Sequence, residues 1–255
     1  MPSCIFVLLD GLNAATARRC MGFLLALEAA GQARYAQLTC ELPPLSRPLY
    51  ATLFCGLPPA AHGILHNDDA RLCPAPTLFS RARDHGLVTA AAAYHWVSEL
   101  CNNAPFDPAR DRLTHAPSLP IAHGLFYTSD LYPDEELFRD AACLLQHHRP
   151  QLLLVHSMGI DTAGHQHGAD SPAYRNAVRL ADSLLAHAIP DWLAAGYTVL
   201  VTADHGMDND GAHNDATDTV RHVPLWLIGE SQAVLPAAQT EIANVAARIL
   251  QLDET

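Results

Sequence analysis

The sequence feature that most constrains the fold is a set of continuous apolar runs, each closed by polar residues. The runs at 4–9, 151–156 and 197–202 are uninterrupted by alternating polar positions. Strands that are buried on both faces of a parallel sheet have this pattern, whereas half-exposed strands alternate. The segments between the runs have helical periodicity. The sequence therefore predicts an α/β fold with a mostly parallel central sheet.

The other segments complete the alternation of strands and helices. Further strands are predicted over 34–42, 88–96 and 222–230, and helices over 13–31, 46–56, 75–86, 134–148, 171–196 and 233–252. The alanine-rich run 88–96 also suits a helix, and 171–196 suits either one long helix or a pair kinked at Pro190.

Domain organisation is predicted to be simple. With no internal repeat and no linker, the chain is predicted to be one domain over residues 1–255, a three-layer α/β/α sandwich. Residues 103–133 are punctuated by prolines and are predicted to be loop-like, a candidate rim or lid for an active site.

Composition excludes several classes of function. The 255 residues carry a formal net charge of −12, which argues against a nucleic-acid-binding surface. An anionic small-molecule substrate would then need local positive charge, for example from bound cations. The 7 cysteines are scattered without a CxxC pair and are predicted to be reduced. With neither a signal peptide nor a membrane-spanning run recognised, we expect a cytoplasmic protein.

Potential ligands follow three of the predicted strands. Asp10 closes the first strand, Asp161 and His165 follow the run 151–156, and Asp204 and His205 follow the run 197–202. Sites in open α/β sheets form beyond the carboxyl ends of the strands, so these side chains are predicted to meet at one edge.

Each of these segments alone is also compatible with a turn or a helix cap. Taken together, their carboxylates and imidazoles form a mixed ligand set that suits Zn²⁺ or Mn²⁺ better than Ca²⁺ or Mg²⁺.

The order of these motifs resembles the alkaline phosphatase superfamily. The pattern is DG after the first strand, a serine before a helix, DxxGH at 161–165, and DHGM at 204–207 followed by GxH at 211–213. The nearest branch is the type I phosphodiesterase/nucleotide pyrophosphatase-like enzymes. The resemblance extends from residue 4 to about residue 229, and residues 87–150 contribute little. It implies an alkaline phosphatase-like core with little or no cap.

The resemblance also implies a role for each matching residue. It assigns Asp161, His165 and His213 to one cation, and Asp10, Asp204 and His205 to a second cation that also binds the nucleophile. The stretch SRPLYATLFCGLPPAAHGI matches the nucleophile region and places Ser46 at the nucleophile. Asn67 matches an asparagine that binds a non-bridging phosphate oxygen. The cofactors implied are two divalent ions, Zn²⁺ or Mn²⁺.

Several of these positions have alternatives. Ser46 could be an N-cap of the helix at 46–56, and His222 competes with His213 for the ligand position. Arg47, beside Ser46, could bind a substrate oxygen or face solvent. His156 and His167 could support the ligands from a second layer of contacts. We expect His62 to brace a turn, and His95, His147 and His148 to be structural or exposed.

The predicted function is cleavage of phosphodiester or pyrophosphate bonds in a small phosphorylated substrate through a phospho-serine intermediate. Alternatives are a phosphomonoesterase, a phosphonate hydrolase, or a non-catalytic binding relative. Arg47 is the only basic residue that can be placed beside Ser46, which favours diesters over monoesters. Two features argue against a sulfatase: Tyr50 replaces the arginine of the sulfatase pattern, and His165 and His205 do not suit the Ca²⁺ that sulfatases use.

Overall fold

The central sheet follows from the apolar runs. A computed structural model of the chain describes residues 2–229 and 233–252, and within them eight strands form one sheet in the order β2-β8-β7-β1-β6-β3-β5-β4. The strands are β1 (Cys4–Leu9), β2 (Ala33–Thr39), β3 (Thr89–Tyr94), β4 (Leu113–His115), β5 (His123–Tyr127), β6 (Leu152–Ser157), β7 (Thr198–Thr202) and β8 (His222–Ile228). Neighbours among β7, β1, β6, β3 and β5 are parallel, and the β2–β8, β7–β8 and β4–β5 pairs are antiparallel.

Helices cover both faces of the sheet. Within the described residues they are α1 (Ala14–Cys20), α2 (Gly22–Ala29), α3 (Ser46–Cys55), α4 (Pro59–His62), α5 (Leu78–Asp84), α6 (His95–Cys101), α7 (Pro108–Asp111), α8 (Asp134–His148), α9 (Gly159–His167), α10 (Pro172–Ala194), α11 (Asp218–Arg221) and α12 (Ile242–Ile249), with a 3₁₀ turn at Gln239–Glu241. On one face α10 packs against α1, α2, α8 and α9, and on the other α12 packs against α3 and α5. The predicted three-layer sandwich with a mostly parallel sheet is confirmed.

The most buried strand is β1, at the middle of the sheet. All six of its residues are buried, and β6 and β7 pair with it on either side. On the α3 face, Phe6 meets Phe54 edge to face at 6.4 Å, and Phe54 meets Phe79 at 5.4 Å. This core fixes the carboxyl ends of the three strands that lead to the predicted ligands.

The predicted helix at 13–31 is divided. Met21 ends α1 and precedes α2 with backbone angles (φ −92°, ψ 70°) that are not helical. No local side chain caps α2. Instead the Asp182 carboxylate of α10 accepts the N–H groups of Phe23 and Leu24 at 2.8 and 3.2 Å. Because the cap comes from a distant helix, the local pattern could not predict the break.

The prediction that residues 103–133 are loop-like is wrong for two strands. β4 and β5 form an antiparallel pair, and β5 extends the sheet beside β3. Thr89, at the start of β3, donates to the Pro120 carbonyl, so the residues before β5 lie at the amino edge of the parallel strands. The residues after Tyr127 reach the carboxyl edge, where Thr162 donates to the Asp130 carbonyl, and Phe106 also lies on this side, with its ring 5.1 Å from that of His95.

Other predictions are resolved simply. The run 88–96 divides into β3 and the start of α6, and α10 continues as one helix through Pro190. All seven cysteines are free thiols, as predicted. The last residue of the predicted strand 222–230 and the ends of the predicted domain 1–255 lie outside the described residues. None of the described helices is both long and apolar enough to span a bilayer.

Candidate functional site

Six potential ligands converge beyond the carboxyl ends of three adjacent strands. β1, β6 and β7 are neighbours in the sheet, with β1 in the middle, so the residues that follow them lie side by side. The six residues form two groups whose ligand atoms lie within 4.8 Å of one another in each group: Asp161, His165 and His213 in one, and Asp10, Asp204 and His205 in the other. These are the two groups that the sequence resemblance implies.

The first group is built on α9. A spacing of four residues places Asp161 and His165 on the same face of this helix, with Nε2 of His165 3.4 Å from Oδ2 of Asp161. The loop after β7 supplies His213, whose Nε2 is 3.2 Å from Nε2 of His165. His222, the alternative to His213, is outside both groups, with its Nε2 3.7 Å from Asp218.

The second group lies against the start of α3. Nε2 of His205 is 3.6 Å from Oδ1 of Asp10 and 3.2 Å from Oδ2 of Asp204. The same nitrogen is 3.1 Å from the hydroxyl of Ser46. The His213 ring stacks on the His205 ring with centroids 3.8 Å apart, so the two groups adjoin each other.

Backbone carbonyls orient all three imidazoles in the same way. The Nδ1 atoms lie within hydrogen-bond distance of the carbonyl oxygens of Gly211 for His165 (2.8 Å), Gly206 for His205 (2.9 Å) and Pro44 for His213 (2.7 Å). A carbonyl only accepts, so each Nδ1 carries the proton and each Nε2 keeps a free lone pair. Metal-binding histidines have this arrangement.

The carboxylates have unsatisfied oxygens. Oδ1 of Asp10, Oδ1 of Asp161 and Oδ2 of Asp204 are buried without a hydrogen-bond partner among the described residues. Burial, and next the charge of Asp10, raise the pKa values of Asp161 and Asp204 well above the ordinary range. Three carboxylates this close and this buried are not all ionised without nearby positive charge. The donor set therefore fits two divalent cations, with three carboxylate or imidazole groups available to each.

Close backbone approach at Gly11 makes this geometry possible. Gly11 has φ +70°, and a Cβ atom there would lie 2.8 Å from both the Cα and the Oδ1 of Asp161. Its N–H also donates to Oδ1 of Asp204 at 3.2 Å. A side chain at position 11 would separate the two groups.

Ser46 is the first residue of α3 and does not cap it. The N-cap position belongs to Leu45, which is extended and has no side-chain capping bond. The Ser46 side chain is buried and faces His205. At this position the helix N-terminus favours an anion beside the hydroxyl.

Arg47 and Asn67 hold each other at the same helix end. The Arg47 N–H donates to Oδ1 of Asn67 at 3.1 Å, and Nε of Arg47 donates to the Asn67 carbonyl at 2.6 Å. The guanidinium is buried, paired with Glu99 at 2.7 Å and stacked over Trp96 at 4.6 Å. Arg47 thus does not face solvent, and these contacts orient Asn67 beside Ser46. Direct binding of substrate by either residue stays a prediction.

Tyr50 is a site residue that the sequence analysis did not predict. It lies on the buried face of α3, and its hydroxyl donates to Oδ2 of Asp10. His156, in β6, has its Nε2 3.7 Å from the same oxygen, so the ligand group that His156 supports is Asp10. Burial would raise the pKa of Asp10, but its contacts with His156, His205 and Tyr50 hold that pKa below the ordinary value. The sequence did contain a signal for this, because Tyr50 is four residues after Ser46 and therefore lies on the same face of the helix.

Two other histidines, His62 and His95, have structural contacts. His62 braces its turn as predicted, with Nε2 3.1 Å from the Thr52 hydroxyl and Nδ1 accepting the Ile64 N–H at 3.2 Å. His95 lies 3.8 Å from Glu99 and His167 is exposed at the end of α9.

Comparison with protein families supports one family over part of the chain. The model for the type I phosphodiesterase/nucleotide pyrophosphatase family matches residues 131–224, which contain five of the six potential ligands, all except Asp10. A curated relative, the 2,3-bisphosphoglycerate-independent phosphoglycerate mutase of Rhodopseudomonas palustris, is 29% identical over 155 residues, 58% of this chain and 29% of that protein. The chain spans less than a third of the length of the curated relatives that it matches.

Solved structures share the fold over most or nearly all of this chain. The murine ectonucleotide pyrophosphatase/phosphodiesterase 5 has a TM-score of 0.72 and 14% identity, covering 98% of this chain and 95% of that chain. The phosphonoacetate hydrolase from Sinorhizobium meliloti 1021, solved with phosphonoformate, has a TM-score of 0.56 and 22% identity, covering 81% of this chain and 56% of that chain.

The fold and the site define a class of α/β proteins with paired Asp and His groups beyond the central strands and a hydroxyl at an adjacent helix end. The chain is similar to the type I phosphodiesterase/nucleotide pyrophosphatase family over residues 131–224, and it shares its fold with the murine ectonucleotide pyrophosphatase/phosphodiesterase 5.

Proposed function

We propose that this protein is a two-metal phosphohydrolase that cleaves phosphodiester or pyrophosphate bonds through a phospho-serine intermediate on Ser46. The observation that carries the proposal is the arrangement of three imidazoles with free Nε2 atoms and three unpaired carboxylate oxygens around the buried Ser46 hydroxyl. The family match and the shared fold support the same class of reaction.

The residues that would hold the cations are the two groups of three. Asp161, His165 and His213 would bind one ion, and Asp10, Asp204 and His205 would bind the other. When bound, such ions lower the pKa of a coordinated hydroxyl or water and polarise the phosphoryl oxygens. Zn²⁺ is the proposed ion, with Mn²⁺ as the alternative, because the ligands mix imidazole and carboxylate. The ions would also supply positive charge, since the chain contains no lysine and Arg47 is neutralised by Glu99.

The protein side chains divide the chemistry among them. In the first step the Ser46 hydroxyl gives up its proton and its oxygen forms a bond to phosphorus, while the bond from phosphorus to the leaving oxygen breaks and that oxygen takes up a proton. In the second step a water oxygen bonds to phosphorus, the bond to Ser46 breaks, and the serine recovers a proton. Asn67 retains a side-chain amide group that can donate to a non-bridging oxygen, and the N-terminus of α3 stabilises the anionic phosphoryl group.

The substrate is proposed to be a small phosphorylated molecule with two ester groups on phosphorus. A structure of an inactive variant of the murine relative holds AMP, a phosphomonoester of the kind that remains when one ester bond of a nucleotide diester is cleaved. Trp96, partly exposed beside Arg47, packs on the buried Tyr50 ring with centroids 6.4 Å apart and offers an apolar surface near the start of α3 on which a second ester group could lie.

A panel of substrates tests the proposal. The purified protein, with its metal content measured, is assayed against p-nitrophenyl monoesters and diesters with added Zn²⁺ or Mn²⁺. We expect faster release of p-nitrophenol from diesters, loss of that activity with a chelator, and recovery with metal. Faster hydrolysis of monoesters would contradict the diester preference. If the protein held metal in both ligand groups and hydrolysed none of the esters, a binding protein would be favoured.

A second candidate is a phosphonate hydrolase on the same residues. It is supported by the shared fold of the phosphonoacetate hydrolase whose structure contains phosphonoformate. Release of inorganic phosphate from phosphonoacetate, measured beside the diester assay, distinguishes the two candidates.

A further inference from the structure

A third group of histidines lies together outside the candidate active site. His115 and His123 are directly opposite each other in the β4–β5 pair, with their Nδ1 atoms 3.0 Å apart. His148 is the last residue of α8, and its ring stacks on the His123 ring with centroids 3.7 Å apart. One ring nitrogen from each of the three lies within 4.8 Å of the others. Three elements that are distant in sequence thus present imidazoles to one point.

This group is at the opposite edge of the sheet from the first two. His123 is the first residue of β5, which runs parallel to β3 and β6. His148 ends the helix that leads into the start of β6. The three histidines therefore lie at the amino edge of the parallel strands, whereas Ser46 and its neighbours lie at the carboxyl edge. Any ligand of this group is separate from the chemistry proposed above.

The chemistry of the group suits a transition-metal ion. Three imidazoles are a common protein ligand set for Zn²⁺, which then keeps a fourth position for water. The carboxyl end of the 15-residue helix α8 adds a partial negative charge beside His148.

The exposures of the rings allow a coordinating arrangement. A metal lies near the plane of each imidazole that binds it, and the His123 and His148 planes are nearly parallel, at 3°. One of these rings must therefore turn out of the stack. His123 is buried, but His148 is partly exposed and His115 is exposed, so rotation of the His148 side chain does not disturb the core.

We propose that His115, His123 and His148 bind a divalent transition-metal ion of the Zn²⁺ type, separate from the two ions of the active site. The ion would join the β4–β5 pair to the end of α8. It would stabilise the folded protein because its ligands come together only on folding.

The test compares bound Zn²⁺ between single variants of the full chain. Wild type, His115→Ala, His148→Ala and the control His147→Ala are dialysed against the same Zn²⁺ buffer, and zinc and protein are then measured. We expect His115→Ala and His148→Ala each to bind one ion fewer per chain than wild type, and His147→Ala to bind the same number. The control removes an exposed histidine that is adjacent in sequence but outside the group.

The test uses the difference in zinc content between each variant and wild type, so the result does not depend on how many ions the active-site groups bind. Phosphodiester hydrolysis is measured on the same samples, and we expect it to be unchanged in all three variants. Equal zinc content in wild type, His115→Ala and His148→Ala would overturn the proposal. An equal loss in His147→Ala would also overturn it, because it would show nonspecific binding to surface histidines.

Discussion

At the scale of single residues, the Ser46 hydroxyl has no structural task. It is buried and faces His205, and the N-cap of α3 is Leu45. We expect Ser46→Ala to keep its stability and its metal content and to lose about 10²- to 10⁴-fold in turnover, the usual contribution of such a group. Steady-state kinetics and metal analysis check this.

Asp204→Asn is the matched comparison for Ser46→Ala. Asp204 is a proposed ligand with an unpaired buried oxygen, so its variant should lose both metal and activity. If Ser46→Ala turned over as fast as wild type, Ser46 would not be the nucleophile.

His213 and His222 give a second comparison at this scale. His213 donates from Nδ1 to the Pro44 carbonyl and presents Nε2 to His165, whereas His222 lies near only Asp218 among the carboxylates. We expect His213→Ala to weaken metal binding at least tenfold, in line with loss of a ligand or its support, and His222→Ala to leave it unchanged. Zn²⁺ titration of the two variants measures the difference, and the reverse ranking would assign the ligand role to His222.

At the scale of elements, the start of α3 is held against α6 by a buried ion pair. Arg47 and Glu99 are both nearly inaccessible, and Arg47 in turn holds Asn67. Removing one partner of a buried pair leaves an uncompensated charge, so Glu99→Gln should destabilise the protein by about 3 kcal/mol. It should also raise KM for a diester more than it lowers kcat, because Asn67 is less well oriented.

The control for Glu99→Gln is the same substitution in an exposed pair. Glu28 pairs with Arg18 at the surface, where both side chains are accessible, and exposed pairs contribute about 0–1 kcal/mol. Urea unfolding of Glu99→Gln and Glu28→Gln measures both. Similar, small effects from the two substitutions would show that the buried pair does not hold α3.

The elements also show what the sequence could and could not predict. Apolar runs and the polar residues after them were sufficient to place Asp10, Asp161 and Asp204 at one edge, because the ends of adjacent parallel strands must lie together. β4 and β5 were missed because they are short, because Gly124 interrupts β5, and because Pro117 and Pro120 lie in the connection between them. The break at Met21 was missed because Asp182 of α10 supplies the cap.

Contacts between side chains from different elements could also not be predicted from the pattern of apolar and polar residues. The pairing of Arg47 with Glu99 and the approach of Tyr50 to Asp10 depend on how α3 packs on its neighbours. The group formed by His115, His123 and His148 was missed for the same reason, since it requires the β4–β5 register. His148, predicted to be structural or exposed, is partly exposed and stacked on His123.

At the scale of the whole molecule, metal and pH should act on stability together. In the metal-free protein, burial and the charge of Asp10 raise the pKa of Asp161. A carboxyl group whose pKa is raised by folding stabilises the protein fully when the pH is below its pKa in the unfolded chain, about 4. This stabilisation is lost as the pH rises through its pKa in the folded protein. The neutral amide of Asp161→Asn should therefore become more favourable relative to wild type as the pH rises from about 4 to 8.

The size of this effect is about 1.4 kcal/mol for each pH unit by which the pKa is raised. With metal bound, Asp161→Asn should instead make the protein less stable than wild type, because the variant loses a ligand and the stabilisation that metal binding provides. Urea unfolding across pH, with and without Zn²⁺, measures both, and Asp210→Asn in an exposed loop is the control. A variant that is less stable than wild type by the same amount under all conditions would contradict this account.

The central claim is that the serine at the start of α3 becomes phosphorylated during turnover. The most direct measurement is a rapid acid quench of the wild-type protein with a diester labelled at phosphorus, followed by peptide mapping. We predict that labelled phosphate is recovered on Ser46 within a single turnover and is absent from Ser46→Ala. Turnover with no protein-bound phosphate, or with phosphate mapped to another residue, would contradict the account.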